Sequence, residues 1–99
     1  MAVKGEVRQR TRIETKEPRQ YNVIMLNDDF TTMEFVVEIL IDIFKKDAKT
    51  AERLMMTVHK SGSAVVASYP YDIAATKVDE AMSRARAQGF PFRMRLEEA

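Results

Sequence analysis

Hydrophobic positions along the chain fall into runs of two different periods. Tyr21 to Leu26 is a dense apolar run with β-branched members and polar flanks, which predicts a strand. Asn27-Asp28-Asp29 breaks it as a polar turn. Thr31 followed by Glu34 fits a capping box, and Met33, Phe35, Val36, Val37, Ile39, Leu40, Ile43 and Phe44 predict a helix with a wide apolar face. Lys45 and Lys46 are placed in its last turn, where they suit the negative end of the dipole. Asp47 can cap a second helix with the stripe Ala51, Leu54, Met55 and Val58, stopped at Gly62. Ala64 to Tyr69 predicts a second strand. Pro70 suits the start of a third helix, carried by Ala74, Val78, Ala81, Met82 and Ala85 and ended by Gly89 and Pro91. Phe92, Met94 and Leu96 alternate with Arg93 and Arg95, the mark of a half-buried strand. The order is β-α-α-β-α-β. It predicts an α+β fold with three helices packed on a small, mainly antiparallel three-stranded sheet.

At 99 residues and 45% apolar content, the chain suits one domain with one modest core. It has no cysteine, which removes disulfides and thiolate metal sites and fits a reducing compartment. The first residues lack the apolar core of a secretory signal, and no apolar run could span a bilayer. The expectation is a cytoplasmic protein. Net charge is only +1, yet it is unevenly spread. Residues 1–20 carry six Lys/Arg against three Glu, and the rest carries ten against twelve. The reading is a disordered basic extension over 1–20 and a folded domain over 21–99. A basic tail can touch nucleic acid or an acidic partner, or can simply be a solvated leader.

The candidate chemistry gathers at Asn27-Asp28-Asp29, between a strand and a capped helix. Three short polar side chains there can converge on a ligand, or can bond their own backbone as turns do. Adjacent carboxylates also suit a hard cation, but the further spaced carboxylates of a calcium loop are missing. Acid–base catalysis by the Asp pair with His59, the one histidine, is a third reading. No Ser-His-Asp spacing, glycine-rich phosphate loop or HExxH accompanies it. Met33, Met55, Met56 and Met82 suit a core, and equally a pocket wall that adapts to several shapes.

The run from Val23 to Val37, reading VIMLNDDFTTMEFVV, resembles the opening of the ClpS family of bacterial N-end rule adaptors. The resemblance continues in Leu54-Met55-Met56-Thr57-Val58-His59, Gly62, Ile73-Ala74, Thr76-Lys77-Val78 and Pro91-Phe92, so it covers residues 20–97. It implies a fold related to the C-terminal domain of the ribosomal stalk protein. It implies a non-enzymatic monomer without metal or cofactor, whose partners are neither nucleic acid nor membrane. Its ligands would be proteins whose first residue is Leu, Phe, Tyr or Trp, delivered to the N-terminal domain of the AAA+ unfoldase ClpA for degradation by ClpP. By the same resemblance Asn27, Asp28 and His59 receive the α-amino group, and Asp29 and Thr31 hold the entrance and the substrate backbone. Met33, Val36, Met55, Val58 and Phe92 form the apolar pocket, and Asp72, Thr76 and Lys77 face ClpA.

Four positions depart from the family pattern. Asp72-Ile73-Ala74-Ala75-Thr76-Lys77 shortens one acidic residue and loses another, Ala67 replaces a glycine, and Phe92 replaces a leucine. They leave open a second, diverged copy of the adaptor. A ribosome- or RNA-associated domain is the alternative class, suggested by the stalk-like fold and basic tail. The folded part, however, lacks a basic stripe interleaved with aromatics.

Overall fold

The computed structural model describes residues 18–99. The extension expected over 1–20 therefore lies outside the described residues as far as residue 17. Its last residue, Gln20, belongs to the sheet. The elements are β1 (Gln20–Leu26), α1 (Met33–Asp42), α2 (Ala48–Ser61), β2 (Ser63–Pro70), α3 (Tyr71–Ala87) and β3 (Arg93–Glu98). This is the β-α-α-β-α-β order that the apolar pattern predicts. The strands form one sheet in the order β2-β1-β3, and both pairings are antiparallel.

The most apolar strand takes the centre. Val23 and Met25 of β1 are fully buried and join a core with Phe35, Ile39, Leu40, Ala51, Val58, Ala74, Ala81 and Met94. In α3 the buried positions are Ala74, Ala81 and Ala85, and the helix packs against all three strands. Alanine lets that helix come close to the sheet without displacing larger side chains.

β2 carries an irregularity that its sequence does not announce. Val23 pairs with Ala67 while Ile24 pairs with Val65, so Val66 is an extra residue opposite β1. Such a bulge resets the alternation of faces. Ala64 and Val66 pack on the core before it, Ala67 and Tyr69 after it, and Val65 and Ser68 point away.

Two helix ends differ from the sequence reading. Thr32, not Thr31, caps α1: it is extended, and its hydroxyl accepts from Phe35 N–H at 3.1 Å. Thr31 is held elsewhere, by Asp28, and Glu34 sits one place too early to close a capping box. The lysines are not in the last turn either, because α1 ends at Asp42. Lys45 is left-handed (φ 58°), and Lys46 N–H reaches back to the Leu40 carbonyl at 3.0 Å. The cation at this helix end is Lys77 of α3, whose Nζ donates to the Ile43 carbonyl at 2.9 Å. Ile43 and Phe44, beyond the helix, stay buried in the core.

The other signals act where the sequence places them. Asp47 caps α2 by accepting from Thr50 N–H at 2.7 Å, and Gly62 ends it in the left-handed region at φ 93°. Pro70 closes β2 and stands just before α3 rather than inside it. Phe92 precedes β3 instead of opening it.

Ile39 is fully buried, so Ile39→Ala should cost about 2–5 kcal/mol, the range for large cavities in packed cores. Thr32→Ala should cost about 1 kcal/mol through the lost cap. Urea unfolding should show a lower midpoint with an unchanged slope for Thr32→Ala, and a larger drop for Ile39→Ala. Equal losses would contradict this assignment of cap and core.

Candidate functional site

The end of β1 and the start of α1 form one wall of a cleft, and the C-terminal half of α2 forms the other. The lining comprises Asn27, Asp28, Asp29, Thr31, Met33, Val36, Met55, Val58 and His59, around a space of about 240 Å³. Its two walls are tied at the base, where Asn27 N–H donates to the Gly62 carbonyl at 2.9 Å. The left-handed turn at Gly62 brings that carbonyl round to the loop.

Asp28 organises the loop. Its Oδ1 accepts from Phe30 N–H at 2.8 Å and Thr31 N–H at 2.7 Å, and its Oδ2 accepts from the Thr31 hydroxyl at 2.6 Å. Partial burial pushes its carboxyl pKa up, but the three bonds from Thr31 and Phe30 outweigh this and hold it below the ordinary 3.8. Three of its four acceptor positions are thus used locally. The turn reading therefore holds for Asp28, which keeps one acceptor position unused. The side chains of Asn27, Asp29 and His59 make no hydrogen bond or ion pair among the described residues, and they are exposed to the cleft. They offer acceptors, with negative charge, to the cleft. Among the apolar lining residues Val36 and Val58 are buried, and Met33 is half-exposed.

Phe92 is not part of this lining. It is buried with its ring edge-on to Phe35 at 5.6 Å between centroids, and Phe90 meets the same ring at 5.1 Å. Successive helix residues point in different directions, so Phe35 turns to this aromatic cluster while Val36 turns to the cleft. Phe92 therefore bears on the cleft only through α1. Among the described residues no group of three His, Cys, Asp or Glu side chains gathers as metal ligands would.

Asp72, Thr76 and Lys77 lie together on the face of α3, with Ile73 and Glu80, around a separate hollow. Lys77 is half-buried there. Its ammonium bonds Ile43 and lies 5.4 Å from the Tyr69 ring, whose phenol pKa is pushed up by burial. Sequence reasoning missed this tie because its partner is a carbonyl far away in the chain. No helix of the described part is long and apolar enough to cross a membrane.

Asp28→Ala should lower stability by about 1 kcal/mol near neutral pH, on the scale of a lost cap. Asp28→Asn should lose less, since an amide oxygen still accepts the two N–H groups. A carboxylate whose pKa is depressed by folding stabilises the fold above its ordinary pKa and loses that effect as pH falls through the folded value. The gap in urea midpoint between parent and Asp28→Ala should therefore close below about pH 3.8. A gap that persists at lower pH would contradict the charge-assisted role.

A family model described as "ATP-dependent Clp protease adaptor protein ClpS" matches residues 16–95. The adapter protein ClpS of Oleidesulfovibrio alaskensis is 48% identical over 85 residues, which is 86% of this chain and 82% of that protein. The one from Treponema denticola is 46% identical over 100 residues, covering 99% of both chains. Among solved structures, Agrobacterium tumefaciens ClpS2 bound to L-phenylalaninamide superposes with a TM-score of 0.81. It is 42% identical, and the match covers 84% of this chain and all of that one. A match of this extent embraces the sheet, all three helices and the cleft between α1 and α2: the chain belongs to the ClpS family of Clp protease adaptors, and it is an adaptor rather than an enzyme.

Proposed function

We propose that the cleft captures proteins by a free α-amino group and a bulky first side chain (Leu, Phe, Tyr or Trp), for delivery to the unfoldase ClpA and degradation by ClpP. The observation that carries this reading is that one cleft is lined both by exposed polar side chains, Asn27, Asp29 and His59, and by the apolar Met33, Val36, Met55 and Val58. Asn27, Asp28 and His59 receive the ammonium, and His59 accepts through a ring nitrogen that carries a lone pair. Asp29 and Thr31 hold the first peptide group at the entrance. The side chain enters between Met33, Val36, Met55 and Val58. Its burial contributes roughly 1.5–3 kcal/mol, and charge-assisted bonds to the ammonium contribute a similar amount. An internal Phe has no ammonium and would leave the acceptors unpaired. Met33 at the rim rejects β-branched first residues by clash. Family membership supports the partnership with a Clp protease, and the phenylalaninamide on the related ClpS2 is a small ligand with a free α-amino group and an aromatic side chain.

Delivery uses the second surface, Asp72, Thr76 and Lys77, against the N-terminal domain of ClpA. Of the basic extension, residues 1–17 assist there and are dispensable for capture, while Arg19 and Gln20 belong to the fold. With Lys77 also bonding Ile43, its replacement would weaken both docking and the end of α1.

The deciding experiment titrates a peptide with N-terminal Phe beside its N-acetylated twin. The free peptide should bind, and acetylation should weaken it by at least about tenfold, the loss expected when one charge-assisted bond is removed. A Val-initiated peptide should bind the parent poorly and Met33→Ala better. Equal affinity of the acetylated twin would refute the reading.

A shortened chain beginning at Pro18 keeps Arg19, which pairs with Glu98, and Gln20, whose carbonyl accepts from Ala99 N–H. It should bind the Phe peptide as the parent does, but support slower ClpAP degradation of a Phe-initiated substrate. Undiminished degradation would remove the tail from delivery.

A further inference from the structure

We propose that Met33 is a reversible oxidation site, and that its conversion to the sulfoxide switches capture off. The proposal rests on the capture reading above. The chain has seven methionines and no cysteine, so a peroxide meets thioethers as the only sulfur, with no thiolate to consume it first. Among the described residues these methionines differ sharply in access. Met25 and Met94 lie in the core, 0% and 7% exposed. Met55 and Met82 are half-buried. Met33 and Met56 are the exposed ones, at 43% and 36%. Of these two, Met33 lines the cleft and Met56 does not. The most exposed methionine of the described residues is therefore a wall of the binding site.

The chemistry is oxygen-atom transfer from hydrogen peroxide. A sulfur lone pair attacks one peroxide oxygen, the S–O bond forms as the O–O bond breaks, and the other oxygen leaves as water. Sulfur loses two electrons and the peroxide gains them. A dithiol-dependent methionine sulfoxide reductase reverses the step: the oxygen departs as water and the two thiols close to a disulfide. The sulfoxide sets a polar acceptor in a wall that an apolar side chain must cover, and covering it without a partner opposes binding. The fold tolerates the change. Met33 is the first residue of α1 and stands outside the core, whereas a sulfoxide at Met25 would lie within it. The α3 surface around Asp72, Ile73, Thr76, Lys77 and Glu80 contains no methionine. Oxidation thus acts on capture and leaves that second surface as it was.

The test treats the whole chain with graded hydrogen peroxide. It maps sulfoxides by mass spectrometry, and follows affinity for a Phe-initiated peptide and the urea midpoint. Met33 and Met56 should oxidise before Met25 and Met94, and bound peptide should protect Met33 but not Met56. Affinity should fall about tenfold, the scale of one polar group covered without a partner. The urea midpoint should stay in place, and methionine sulfoxide reductases A and B with dithiothreitol should restore binding. Met56→Leu should lose affinity to peroxide as the parent does. Met33→Leu, measured against its own untreated affinity, should lose none. Full affinity in a parent carrying the Met33 sulfoxide would overturn the proposal. So would an equal loss in Met33→Leu, or a loss that tracks a falling urea midpoint. If the untreated parent fails to bind the Phe peptide, capture itself is refuted and this proposal with it.

Discussion

The junction of the central strand with the end of α2, closed by the hydrogen bond from Asn27 N–H to the Gly62 carbonyl, is the geometry on which the cleft depends. It joins the exit of the central strand to the end of α2, two points far apart in sequence. The bond extends the β1–β2 pairing, in which Leu26 lies opposite Ser63, so the loop at 27–31 and the residues at 55–59 keep a fixed spacing. The bond needs the left-handed turn that Gly62 adopts at φ 93°, a conformation that side-chain-bearing residues resist. Asp28 then fixes the remainder of the loop from inside, leaving its neighbours Asn27 and Asp29 available. Most of the loop's rigidity thus falls on Asp28.

Most of the fold was legible because local chemistry and packing agree. Asp47 and Gly62 bracket α2 as their side-chain chemistry demands, and Met94 and Leu96 alternate with outward arginines on an edge strand. The misses share a cause, which is dependence on distant partners. Two adjacent threonines were both able to cap α1, and Asp28 takes one of them for the loop. The cation at the end of α1 arrives from α3 instead of from the adjacent lysines. The bulge at Val66 follows from register against β1, which no single strand encodes.

The cleft was legible in a different way. Period and spacing placed Asn27-Asp28-Asp29 between a strand and a helix and put His59 four residues after Met55. They did not bring the two segments together; that association came from the resemblance, and the fold gathers the two segments around one space. Phe92 was drawn to the cleft by its place in the motif, yet the aromatic cluster around Phe35 claims it. An aromatic ring at a strand entrance can face either the core or a neighbouring hollow, and only packing decides.

β1 runs from Gln20 at one end to Leu26 at the other, with the cleft beyond Leu26 and the Arg19–Glu98 pair at the opposite end. Seven extended residues make that separation about 20 Å. The strand therefore acts as a spacer: whatever is gripped at one end is held away from the point where the preceding residues enter the fold. A chain emerging there and an occupant of the cleft would be kept apart by the central strand.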